Sequence, residues 1–211
     1  MAERLALNEK VLGSSPSGGT DIIFPMNLLI FGPPGVGKGT QAALISKKYK
    51  LTHLSSGDIL RAELKNGELG EKIKKYQDAG QLVPDTIIVA IMKKAIIKSI
   101  KKGNFIFDGY PRTIKQAKAL DKFLKKNKIA LDKVINLKLS KAEAVKRALG
   151  RGQTSGRSDD NIKTIKTRFA VYRAQTAPLL KYYKNQRKVI NIDGRPKITD
   201  VFKSITKCLN K

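Results

Sequence analysis

The chain has 211 residues, of which 41% are hydrophobic and 28% charged, and a formal net charge of +26. That size and balance suit one globular domain with a sizeable core; the single cysteine, Cys208, excludes an intrachain disulfide or a cysteine-built zinc site and favours a reducing compartment. The longest apolar run, Ile87–Met92, is far too short to span a membrane, and the lysines are spread over nearly every expected helix without interleaved aromatics, so the charge reads as a solvated surface and nucleic acid is not the expected partner.

Residues 1–25 hold no continuous apolar stretch of the kind a secretory leader needs. "GSSPSGG" at Gly13–Gly19 has linker composition, so this segment is expected to be a flexible tail or an appended remnant. Met26–Phe31 (MNLLIF) is a short apolar run suited to a buried strand, and the helical spacing of Ala42, Ala43, Ile45 and Tyr49 predicts a helix over Lys38–Lys50. A short strand is expected at Thr52–Ser55, where His53 reads as a packing residue. Helical patterns follow at Ser56–Leu64, Leu69–Asp78 and Asp85–Lys101. The remaining order is strand Phe105–Gly109, helix Ile114–Lys126, strand Lys133–Leu139, helices Ala142–Leu149 and Asp159–Lys184, strand Lys188–Asp193 and helix Ile198–Leu209. Strands alternating with helices predict an α/β fold, a parallel sheet covered on both faces.

The first strand runs into "FGPPGVGKGTQA" (Phe31–Ala42), with four glycines and two prolines in twelve residues. Strand, glycine-rich turn, lysine and helix is the context of a phosphate-binding loop. The strict pattern would place Ser or Thr at 39; here Gly39 separates Lys38 from Thr40. Glycines let successive N–H groups turn toward phosphate oxygens, and the helix start adds the positive end of its dipole. Lys38 supplies a point charge for the outer phosphates. A plain Gly-Pro turn would explain neither the lysine nor the number of glycines.

Four further polar segments sit at expected strand ends or helix starts: SSGDILR (Ser55–Arg61), GQLVPD (Gly80–Asp85), DGYPRT (Asp108–Thr113) and RGQTSGRSDDN (Arg151–Asn161). Ligands of open parallel sheets bind outside the carboxyl ends of the strands. Three of these segments carry arginine (Arg61; Arg112; Arg151 and Arg157), which suits a second, phosphorylated ligand beside the phosphates at Lys38. Arginine's fixed fork takes phosphate oxygens bidentately.

With GPPGVGKGTQ, the set resembles the adenylate kinases of the short-lid type, from about Met26 to Lys211. The glycine at 39 is normal in that family. The resemblance implies a P-loop NTPase-type three-layer fold: a five-stranded parallel sheet with helices on both faces, an NMP-binding insert at about 55–84 and a lid at about 150–160, all within one kinase domain, 26–211. It implies reversible, Mg-dependent transfer between ATP and AMP to give two ADP. The ATP phosphates fall to Gly35, Val36, Gly37, Lys38, Gly39 and Thr40, and Arg147 looks like the residue that stacks on the ATP adenine, beside the backbone of Gly194. AMP falls to Ser56, where the family usually has threonine, to Arg61, Gln81, Leu82, Val83, Gly109, Tyr110, Pro111 and Arg112, and to Gln116, which pairs with adenine. Lys38, Arg112, Arg151, Arg157 and Arg168 are the expected catalytic clamps, Arg157 and Arg168 touching AMP as well and Arg151 ATP. Asp108 looks like the residue that holds magnesium through water. Residues 150–160 carry no cysteine or histidine, so no lid zinc is expected. Asp159 and Asp160 either cap the helix that starts there or serve lid closure. A cytoplasmic monomer acting on ATP, AMP and ADP, with no membrane, is the expectation.

Two rivals stand beside this reading. A UMP/CMP kinase shares the loop and the SGRSDDN string; it tends to have asparagine directly after the arginine, where this chain has Thr113, and Gln116 suits adenine. An ATP-binding, nucleic-acid-associated P-loop protein rests only on the basic surface.

Overall fold

The computed structural model describes residues 26–155 and 161–210. Five strands, β1 (Leu28–Phe31), β2 (Thr52–Ser55), β3 (Phe105–Asp108), β4 (Lys133–Lys138) and β5 (Val189–Asp193), form one sheet in the order β2-β3-β1-β4-β5. Every pair is parallel; Leu29 at the centre lies opposite Phe107 on one side and Val134 on the other. Parallel neighbours need crossover connections, and these are helical: α1 (Lys38–Tyr49), α2 (Ser56–Glu63), α3 (Gly67–Asp78), α4 (Asp85–Ser99), α5 (Ile114–Lys126), α6 (Lys141–Ser155), α7 (Ile162–Val171), α8 (Pro178–Lys184) and α9 (Ile198–Leu209).

The inner strands β1, β3 and β4 are short apolar runs because both faces of the sheet are covered there. Side chains alternate between the faces. Leu29, Phe31, Phe105, Phe107 and Val134 join one core with Met92 and Ile96 of α4, Leu120 and Leu124 of α5, and Tyr183 of α8. Leu28, Ile30, Ile106 and Ile135 join the other with Ala42 and Ile45 of α1 and Val201 and Ile205 of α9. Each fully buried large side chain contributes about 1.5–3 kcal/mol. A smaller cluster, Ala144 and Ala148 with Ile165 and Phe169, zips α6 to α7.

Two expected helices need correction. Asp159–Lys184 is not one helix: α7 begins at Ile162, capped by Asn161, whose Oδ1 accepts from Thr164 N at 2.9 Å. It then widens into a π-turn at Tyr172–Thr176 before α8 starts with Pro178. Proline lacks an N–H and resists helix interiors, which accounts for the restart. Asp159 and Asp160, weighed as caps, lie outside the described residues. The helix expected to end at Leu149 runs on through Gly150 and Gly152 to Ser155; helical glycine costs only about 1 kcal/mol relative to alanine.

Because the strands are parallel, Phe31, Ser55, Asp108, Lys138 and Asp193 end on one edge of the sheet. The chain between β2 and β3 holds three helices, α2, α3 and α4, in place of a single crossover. No helix among the described residues is long and apolar enough to cross a membrane.

Candidate active site

A cleft of about 970 Å³ opens along that strand-end edge. One wall is the loop from β1 to α1, Gly32–Thr40. Gly35 has φ +81, and a Cβ there would collide with the carbonyl oxygen of Ala144 in α6, so the backbone conformation and the close approach both require glycine. Gly37, with φ 95, precedes α1 without a side-chain cap. The first N–H groups of α1 are thereby left to an anion. Lys38 Nζ donates to the carbonyl oxygens of Gly32 and Pro33, each at 2.9 Å, which holds the ammonium over its own loop.

The floor is the end of β3. Asp108 borders the cleft, and its Oδ2 would lie 3.4 Å from a Cβ placed on Gly39. His53 Nε2 stands 3.6 Å from the same oxygen and has no hydrogen-bond partner among the described residues. His53 therefore does pack at a strand, but against the acidic group of the cleft. An acidic oxygen beside a phosphate loop fits a magnesium ion that keeps its waters and is carried by phosphates. Among the described residues, no cluster of three or more His, Cys, Asp or Glu is found.

The opposite wall gathers arginines. Arg61 of α2 pairs with Asp58 one turn earlier. Arg112 donates from Nε to the carbonyl of Gly109 at 2.7 Å, and its own carbonyl accepts from Thr176 Oγ1 of the π-turn at 3.0 Å. Arg168 of α7 completes the group; all three line the cleft. Gly109 has φ +72, and a Cβ there would meet Ser56 Oγ at 2.6 Å, so this turn too accepts only glycine. Tyr172 also faces the cleft, and burial raises its phenol above the ordinary value, keeping it a neutral donor.

At the far end Arg147 lies across Gly194. Its Nη1 and Nη2 donate to the carbonyls of Gly194 (2.7 Å) and Arg195 (2.9 Å), and its Nε donates to Glu143 at 2.9 Å. A guanidinium with its edge so engaged presents a flat face for stacking.

A smaller pocket of about 60 Å³ adjoins the cleft. Gly57, Arg61, Gly80, Leu82, Gly109, Arg112 and Arg168 line both; Ser56, Gln81, Val83 and Gln116 line the small one alone. Gln116 is 2% exposed. Its Oε1 accepts from Arg112 N and its Nε2 donates to Asp85 Oδ1, both at 2.7 Å.

The residues expected from the sequence are thus brought together in two adjoining spaces, with exceptions. Tyr110 lines neither; it is core, and burial, then the charges of Asp85 and Asp121, push its phenol well above its ordinary range. Arg151 sits in α6. Arg157 lies outside the described residues. Sequence reasoning missed Asp85 and Thr176, because each acts on a residue far away on another element, and it missed Glu143 as well. The one available signal was for Glu143, four residues before Arg147, the spacing of a helical ion pair.

Sheet order, phosphate loop and facing arginines define a P-loop phosphotransferase with room for two phosphorylated ligands. The family model "Adenylate kinase" matches residues 30–188. The chain is 47% identical over 186 residues to the adenylate kinase of Parabacteroides distasonis, covering 88% of this chain and 98% of that one. It is 42% identical over 212 residues to that of Alkaliphilus oremlandii (87% and 98%), and 41% identical over 213 residues to that of Methanothrix thermoacetophila (88% and 99%). The chain belongs to the adenylate kinase family, the nucleoside monophosphate kinases.

Proposed function

We propose that the chain catalyses ATP + AMP ⇌ 2 ADP. The observation that carries this is the continuity of the two spaces: the phosphate loop lines one side of a cleft whose other side is Arg61, Arg112 and Arg168, with the small pocket behind them. In this reading Lys38 and the loop amides hold the outer phosphates of ATP, and Arg147 carries its adenine over Gly194. Arg61 and Arg112 hold the AMP phosphate, and Gln116 reads its base. An AMP phosphate oxygen attacks the γ-phosphorus while the bond to the ADP oxygen breaks. The acceptor phosphate is already ionised, so no general base is required. Arg168, Arg151 and Arg157 stabilise the charge that spreads over the transferred group. Magnesium, held through water by Asp108, would neutralise phosphate charge when bound.

Residues 55–84 act as the cover over AMP and 150–160 as the lid over ATP. The two exclude water, which would otherwise take the phosphoryl group. The lone Cys208 supports action in the cytoplasm.

A coupled assay with ATP and AMP, repeated with UMP and CMP, tests the reading. ADP formation with AMP and little with the pyrimidines is expected. Turnover with pyrimidines alone would transfer the assignment to a UMP/CMP kinase. No turnover with any acceptor, together with tight DNA or RNA binding, would overturn it altogether.

A further inference from the structure

Gln116 is buried, and both ends of its amide are already engaged. Arg112 N can only donate, so the end it contacts is the oxygen. The Asp85 carboxylate can only accept, so the end it contacts is the nitrogen. The two partners agree on one orientation and forbid the flipped one. Asp85 is itself held: Thr113 Oγ1 donates to its two oxygens, at 3.2 and 3.1 Å, and that same hydroxyl accepts from Gln116 N at 3.1 Å, capping α5. An acidic residue at the start of α4 is thus tied to the start of α5, 31 residues away in sequence from the glutamine it orients.

After these two bonds the amide keeps one N–H and one oxygen lone pair. A 6-aminopurine offers the matching edge, an acceptor at N1 and a donor at the 6-amino group. A 6-oxopurine offers the reverse polarity, a donor at N1 and an acceptor at O6, and would set like against like at both positions.

We propose that Asp85 is a specificity-determining positioning residue: by fixing the polarity of the Gln116 amide it makes the acceptor pocket accept 6-aminopurine monophosphates and reject 6-oxopurine ones. The inference rests on the reading of Gln116 as the residue that faces the acceptor base. Asp85 does not touch the substrate. It acts through an amide whose orientation would otherwise rest on Arg112 N alone.

The test is the ratio of kcat/KM for AMP to that for IMP, with ATP as donor, in the wild type, D85N and D85E. Asparagine is nearly the same shape but can donate or accept, so the Asp85 half of the lock is lost and Arg112 N holds the amide alone. In D85N the ratio should fall by about tenfold, the loss of one buried hydrogen-bond preference, while KM for ATP stays within about twofold. D85E keeps an acceptor-only group and should retain the ratio, whatever its absolute rate. Equal losses with AMP and IMP in D85N would make Asp85 merely structural and overturn the proposal, as would an unchanged ratio. If D85N does not fold, D85E decides alone: a retained ratio supports the lock and a lost one overturns it. The underlying reading fails in a different way. If Q116A weakens ATP and AMP alike, or the wild type phosphorylates IMP as well as AMP, Gln116 is not at the base and the inference falls with that reading.

Discussion

The two nucleotide ends of the cleft are built from different materials. The phosphate loop is backbone: glycines in left-handed conformations, an uncapped helix start, and a lysine resting on the carbonyls of its own turn. The small pocket proposed for the acceptor depends on side chains: Gln116 lines it, held by Asp85 and Thr113 and by the backbone N–H of Arg112. Backbone amides recognise phosphate and are indifferent to the base attached to it. Side-chain amides recognise a base edge and depend on whatever orients them. Damage at the first end should therefore abolish chemistry with every acceptor, and damage at the second should change which acceptor is used.

The largest effect is expected at Gly35. Valine there must adopt φ +81 and force its Cβ into the carbonyl of Ala144. Gly35→Val should eliminate turnover with AMP and donor binding together, measured by coupled assay and by ATP titration. Selective loss of AMP binding alone would erase the contrast between the ends. Lys38→Met follows. It should lower kcat by about 10²–10³, the loss typical of one transition-state charge contact, in a protein whose thermal melting is unchanged. Near-normal turnover in that folded variant would remove the phosphate role of the loop.

Gln116→Ala sharpens the comparison from the other side. Leaving Asp85 and Arg112 N without their partner should weaken AMP by about 1–3 kcal/mol, while ATP binding is nearly untouched. The smallest effect belongs to Glu143→Gln, which slackens Arg147. The pair is partly exposed, with side chains 33% and 41% accessible, and exposed pairs contribute about 0–1 kcal/mol. KM for ATP should rise by no more than about fivefold, and AMP should be unaffected.

The same contrast explains what could be read in the sequence. The loop was legible because most of its physics is local: Gly37 and Lys38 carry their reason within a few residues, and the left-handed backbone at Gly35 is local too, although the close approach of Ala144 is not. The sheet was legible for the same cause, since β1, β3 and β4 are apolar runs buried on both faces of a parallel sheet. Asp85 was not. It reads as the end of GQLVPD and the first acidic residue of a helix, and only the tertiary fold sets it against Gln116. Tyr110 failed in the opposite way. Its neighbours Gly109 and Arg112 face the cleft, but the chain turns its ring into the core. The break before Pro178 had a visible signal in the proline itself. The π-turn at Tyr172–Thr176 had none, since hydrogen-bond spacing within a helix leaves no trace in composition.

That one cleft serves two nucleotides, each under its own cover, is tested most directly by hydrogen exchange with a bisubstrate inhibitor, two adenosines joined by five phosphates. Bound to the full chain, it should slow exchange in residues 32–40, 55–84 and 150–160 together. ATP alone should slow mainly the first and third segments, and AMP alone mainly the second. Protection of the phosphate loop with unchanged exchange in 55–84 would contradict a second nucleotide site.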